Sequence, residues 1–149
     1  EILSRNDYVQ AELYVKVKRD RSYWDSWKGD FSKSGGIVFN LGAHYFDVLL
    51  RTFGNEYAVI NKRAFSKFCD GEIVFPGLSK PLKYTLAIAA DNIAQTSFLE
   101  LDGKRFTFSN EDNLSSEELH KKVYEDFLKG EGVEPKDLKD LTELMERLV

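Results

Sequence analysis

Asn40, His44 and Asp47 are the residues of this chain whose types and spacing could do chemistry. With about 3.6 residues per helical turn, positions four and three apart fall along one stripe. Ile37, Val38, Phe39, Leu41, Phe46, Val48, Leu49, Leu50 and Phe53 around them are apolar, so the segment suits a buried helix. A polar stripe on such a helix must find partners or lie against a ligand. Imidazole exchanges a proton near neutral pH, which fits general acid–base work. The Asn40 amide can donate and accept only neutral hydrogen bonds. Asp47 can fix the His44 ring or pair with Arg51 at i+4. Two structural readings stand beside these: His44 as a core histidine bonded to a backbone carbonyl, and Asn40 as a helix residue bonded to a nearby loop.

Several elements must position that stripe. Val9 to Lys18 alternates, with Val9, Ala11, Leu13, Val15 and Val17 on one side, which predicts a half-buried strand. Residues 19–34 show no period and read as a loop rich in aromatic and charged groups. The helix follows over 35–53 and stops at Gly54. Gly42 within it costs about 1 kcal/mol relative to Ala, so close packing against another element is expected. Strands are expected at 57–66, 71–76, 83–91, 94–101 and 104–109. Asp102-Gly103 is a two-residue hairpin signal, Asp70-Gly71 and Asp91-Asn92 are weaker turn signals, and residues 77–81 after Pro76 should break the sheet. Ser115 and Glu118 form a capping box for a helix with Leu119, Val123, Phe127 and Leu128 on one face, closing at Gly130. A last helix begins near Pro135 with a stripe of Leu138, Leu141, Met145 and Leu148. The fold class is α+β: an open-faced, mainly antiparallel sheet with helices packed on one face. Tyr14, Tyr84, Ile88, Phe98 and Leu99 suggest an apolar component on both faces, so the free face is expected to be polar or covered by a partner subunit.

The 149 residues fit one domain with a sizeable core. A net charge of −4 argues against nucleic-acid and anionic-membrane partners. No apolar run approaches the roughly 20 residues of a membrane span, and no secretory signal is visible. Cys69 is the single cysteine, so no internal disulfide forms and a reducing cytoplasm is the simplest reading. Two histidines and one cysteine far apart make a zinc site an unsuitable reading, and His120 reads as a surface residue. No Gly-x-Ser-x-Gly elbow and no Gly-x-Gly-x-x-Gly cradle is present. The chain opens on Glu1 and its one methionine is Met145, so a fragment or processed product is expected.

Gly35, Gly36, Asn40, Gly42, His44 and Asp47 together resemble the second domain of Gfo/Idh/MocA-type, NAD(P)-dependent sugar oxidoreductases, most of which carry Asp where this chain has Asn40. With Ser26-Trp27-Lys28-Gly29 and Ser34-Gly35-Gly36, the chain is most similar to the branch that oxidises UDP-N-acetylglucosaminuronic acid at C3. A generic similarity continues through residues 123–130. The resemblance implies that 1–149 is a single C-terminal substrate-binding and oligomerisation domain, with the dinucleotide-binding domain outside it. NAD or NADP would sit mostly in that other domain, so none is expected on this chain, which alone would be inactive. A nucleotide-sugar substrate, a cytoplasmic homo-oligomer formed through the open sheet face and a role in surface-polysaccharide synthesis are also implied.

On the same resemblance His44 and Asn40 belong to the reacting centre, with His44 contacting the substrate hydroxyl beside a lysine of the other domain. Either of those two groups could be the base, since Asn40 cannot carry charge. Arg19, Tyr23, Trp24, Trp27, Lys28, Gly35, Gly36 and Asp47 are the substrate-binding candidates. Aromatic faces there can stack on uracil and Arg can pair with diphosphate or carboxylate, while exposed N–H groups at Gly35 and Gly36 favour anions. The plainer readings are tryptophans that plug the sheet edge and a loose helix start. The rival function is a non-catalytic sugar-binding or assembly module on the same scaffold.

Overall fold

A computed structural model describes residues 8–89, 94–108, 125, 128–130 and 138–149. Among them six strands form one sheet: β1 (Ala11–Val17), β2 (Ala58–Ala64), β3 (Phe68–Val74), β4 (Leu82–Ile88), β5 (Thr96–Leu101) and β6 (Lys104–Thr107). Their order is β2-β3-β4-β1-β5-β6. β1 runs parallel to β4, and every other neighbouring pair is antiparallel. The longest helix, α3 (Ala43–Phe53), and the last one, α4 (Lys139–Leu148), belong with the core on one face. This is the expected α+β architecture with one open face.

The alternation of β1 survives intact. Leu13 and Val15 are fully buried between the sheet and the helices. Val9 is 48% exposed because the strand starts only at Ala11. The N–H groups of Val9 and Gln10 donate instead to Asp102 Oδ1 at 2.9 and 3.0 Å. Asp102 and Gly103 make the expected hairpin turn between β5 and β6, with positive φ at both (49° and 81°).

Asp70-Gly71 is not a turn. Both lie inside β3, with Asp70 opposite Thr85 and Gly71 opposite Tyr84. The chain reverses at residues 65–67 instead, where Phe65 N–H donates to Phe68 O. Glycine is needed in the strand for space: a Cβ at Gly71 would run into the Asn61 carbonyl oxygen and the Tyr84 hydroxyl. The Tyr84 hydroxyl is buried with no hydrogen-bond partner among the described residues. A buried unpaired hydroxyl costs about 1–3 kcal/mol, so Tyr84→Phe is expected to raise stability by about 1 kcal/mol in urea denaturation. A lower urea midpoint would contradict that. Nearby, Cys69 is fully buried, and burial pushes its thiol up to about 12, which disfavours the thiolate.

In α4 the buried stripe is Leu141, Leu144, Met145 and Leu148. Leu138, expected in that stripe, is 44% exposed just before the helix, and Leu144 completes the i, i+3, i+4, i+7 pattern. Glu125 and Leu128 are helical and Gly130 follows with φ 74°, but Leu128 is 84% exposed. Leu119, Val123, Phe127, the capping box, His120, Pro135 and the Asp91-Asn92 turn lie outside the described residues. On the open face Tyr14 stacks on Phe98 at 5.5 Å, and the Arg105 guanidinium carbon lies 3.7 Å from the Phe98 ring centre. Charged neighbours surround them, including the Arg105–Glu100 ion pair at 2.9 Å. That face is therefore mixed in character. Tyr84 and Leu99 belong to the helix side, in the core.

Candidate functional site

Residues 19–34 are not an irregular loop. They form three single turns: α1 (Arg21–Asp25), a 3₁₀ turn (Trp27–Gly29) and α2 (Phe31–Ser34). Each starts on a polar cap. Asp20 Oδ1 accepts from Tyr23 N–H at 3.0 Å and from the Ser22 hydroxyl at 2.7 Å. Ser26 Oγ accepts from Lys28 N–H at 3.2 Å. Asp30 Oδ1 accepts from Ser32 N–H at 3.0 Å and from the Ser32 hydroxyl at 2.7 Å. Turns this short present no apolar period, and the cap residues were the signal that could have found them.

The Ser22 hydroxyl, and then the Tyr23 N–H, hold the Asp20 carboxyl below its ordinary 3.8; Ser32 and then Lys33 do the same for Asp30. A carboxyl whose folded pKa is depressed stabilises the fold above its unfolded pKa and loses that contribution as pH falls through the folded value. Acidification below about pH 4 should therefore loosen this segment before the sheet. The check is fluorescence of Trp24 and Trp27 changing ahead of the far-UV strand signal; coincident transitions would contradict it.

After α2 the chain turns through Gly35 and Gly36, both at φ 69° in the left-handed region. Side chains there would also collide with the rings of Phe39 and Phe31 respectively. Gly36 N–H donates to the buried Ser34 hydroxyl at 3.1 Å. The helix then starts, not as regular α, but with a π-helical stretch at Val38–Gly42 before α3. Such widened turns occur mostly as local bulges, often at functional sites. Gly42 sits where expected, in close packing: a Cβ would meet the Phe46 ring and come within 3.3 Å of Leu86 on β4.

Between the short turns and this helix start lies an open groove of about 660 Å³. Of the residues singled out by sequence, Arg19, Tyr23, Trp27, Lys28, Asn40 and His44 line it. His44 is exposed there, so it is not a core histidine. Among the described residues no group hydrogen-bonds its ring. The Asn40 amide nitrogen donates to Gly36 O at 3.1 Å and to Lys28 O at 3.4 Å. Arg19 donates to Lys18 O at 3.0 Å, and its guanidinium carbon lies 5.4 Å from the Tyr23 ring centre. Trp27 is 57% exposed.

The other candidates lie apart. Trp24 receives the Lys67 ammonium over its ring at 4.2 Å, tying the segment to the β2–β3 turn. Asp47 pairs with Arg51 at 2.7 Å rather than with His44. Gly35 and Gly36 shape the chain behind Phe39 and Phe31. The groove also takes in Lys18, Asp20, Ser22 and Ser26, which sequence reading left out. Lys18, Arg19 and Lys28 face one carboxylate, Asp20, so the groove suits an anionic group beside an aromatic one. Among the described residues no cluster of three His, Cys, Asp or Glu side chains could hold a metal ion, and no helix is long and apolar enough to cross a membrane.

No family model matches the chain. It shares its fold with part of several dehydrogenases and oxidoreductases of known structure. The WlbA (WbpB) dehydrogenase from Thermus thermophilus, in complex with NAD and alpha-ketoglutarate, matches with a TM-score of 0.73 and 24% identity over 93% of this chain and 46% of that one. The same dehydrogenase in complex with NAD and UDP-GlcNAcA matches with a TM-score of 0.70 and 24% identity, over 97% and 46%. An aldose-aldose oxidoreductase from Caulobacter crescentus complexed with glycerol matches at 0.55 and 14%, over 95% and 53%. The chain spans about half the length of the solved chains it matches.

Proposed function

We propose that this chain is the substrate-binding and oligomerisation domain of a Gfo/Idh/MocA-type, NAD(P)-dependent sugar dehydrogenase, and that its groove takes a UDP-N-acetyl-hexosaminuronate oxidised at C3. The observation that carries the reading is the groove, which Asn40 and His44 line together with Arg19, Tyr23, Trp27 and Lys28. A solved protein of the same fold holds NAD and UDP-GlcNAcA. Such a ligand offers a diphosphate and a carboxylate to the cations, a base to the aromatic rings and a ring hydroxyl to His44.

The described residues do not fit the dinucleotide itself. β1 leads into Lys18-Arg19-Asp20-Arg21, with no glycine-rich turn to approach a pyrophosphate. In this reading the nicotinamide, which supplies the hydride acceptor, is held outside these residues. What this chain does is bind the sugar, orient it and handle a proton. In the oxidation of a ring hydroxyl, the hydroxyl proton would pass to the His44 imidazole or to a lysine outside the described residues. Asn40 stays neutral throughout.

The mixed open face around Tyr14, Phe98 and Arg105 is where copies of the chain would associate. A cytoplasmic place and a part in surface-polysaccharide synthesis belong to the same reading. A second reading, a non-catalytic sugar-binding or assembly module, is favoured by one observation: nothing among the described residues orients His44, since Asp47 is drawn to Arg51. The test mixes the full-length protein with NAD and UDP-GlcNAcA and follows the absorbance of reduced nicotinamide. A rise is expected. Cofactor binding without a rise would discard this substrate, and failure to bind cofactor would favour the module.

A further inference from the structure

Asn40 does something in the structure that a carboxylate in its place could not do. Its one amide nitrogen reaches two backbone carbonyls from opposite sides of the groove: Gly36 O at the helix start and Lys28 O in the 3₁₀ turn. The bond to Lys28 spans 12 residues of sequence and joins two segments that each have a local cap as well. The 3₁₀ turn carries Trp27 and Lys28, both lining the groove and both exposed. The helix start leads directly to His44. Both amide hydrogens are thereby used, and an amide so engaged has no proton to give and no charge to offer.

We propose that the Asn40 carboxamide is a positioning group, a clamp that fastens the Trp27–Gly29 wall to the helix start and fixes it relative to His44, and that it takes no part in proton transfer. The proposal deepens the groove reading given above and rests on it for the ligand. It differs from a role in which this side chain touches the reacting atoms or steers a neighbouring lysine. An ionised carboxylate there would lose both donors and face two carbonyl oxygens, which repel it. A protonated carboxyl would recover one donor.

The test uses the full-length protein with 5-fluorotryptophan incorporated, the Trp27 resonance being assigned by its disappearance in Trp27→Phe. Asn40→Asp at about pH 8 is expected to shift and broaden the Trp27 fluorine line relative to the parent, and acidification to about pH 5 to bring it back toward the parent line. Lys18, Arg19, Asp20, Lys28 and His44 line the same groove in parent and variant alike. Variant and parent are therefore compared at each pH. Asn40→Ala removes the donors without adding a charge, and should move the line at both pH values with no recovery.

The functional arm is a UDP titration, in which Asn40→Asp should raise the Kd about tenfold at about pH 8. A Trp27 line unchanged in both variants would overturn the clamp, as would equal UDP affinity in variant and parent. A line that moves as expected while the parent fails to bind UDP would support the clamp and sink the nucleotide-sugar reading instead.

Discussion

His44→Ala in the full-length protein is expected to lower kcat for UDP-GlcNAcA oxidation by about 10²–10⁴-fold, the range typical of losing a positioned acid–base group. Of the groove-lining side chains, imidazole is the type that exchanges protons near neutral pH. Asn40 cannot share the task, because its amide donates to Gly36 and Lys28. The stability cost should be small, within about 0.5 kcal/mol, since His44 is exposed and holds no described residue in place. That separation gives the experiment its value. Unfolding midpoints that match while turnover collapses would place His44 in the chemistry. Turnover that survives would move the base to a lysine elsewhere in the protein, leaving His44 at most a hydroxyl contact. Steady-state kinetics also divide the effect: loss of the base lowers kcat and kcat/KM together, whereas loss of a simple contact raises KM.

Phe46→Ala should cost about 3–5 kcal/mol, the largest stability loss expected of any single change to α3. Phe46 is completely buried, two residues after His44. Its ring meets Tyr84 of β4 edge-on, with centroids 5.5 Å apart and planes at 84°. On its other side Gly42 has no side chain, which leaves the ring its place. Truncation therefore removes the residue that locks the groove-bearing helix onto the sheet, and opens a cavity where β4 and the π-helical turn come together. Against a total stability of about 5–15 kcal/mol this is a large fraction. Urea denaturation should show a lower midpoint with an unchanged slope. A loss below about 1 kcal/mol would mean that the helix is held mainly by α4, which also packs against it.

The parts of the fold legible in sequence were those written in local pattern. The alternation of Leu13, Val15 and Val17 marked β1 to within two residues at its start. Asp102-Gly103 marked its hairpin because both residues tolerate positive φ. The 3.6-residue stripe marked α3. Where a residue type has two uses, local pattern failed. Asp70-Gly71 has the composition of a turn, yet Gly71 is in the strand to clear the Tyr84 hydroxyl. The segment of residues 19–34 lacks a period because its helical turns are too short to show one.

The candidate site divides the same way. Sequence by itself determined that Asn40 and His44 lie on one helix after a glycine pair, and that aromatic and cationic residues precede them. Only the tertiary structure decided which of these face the groove. Trp24 and Trp27 are three apart and alike in sequence, but Lys67 from the β2–β3 turn covers one and leaves the other exposed. Asp47 had two partners in reach and took Arg51. Asn40 donates to the Gly36 carbonyl one turn back and to the Lys28 carbonyl of a turn 12 residues away. Backbone pattern follows from short-range sterics and periodicity, whereas the partner of a polar side chain is chosen by whichever distant segment the packed core brings within about 3 Å of it.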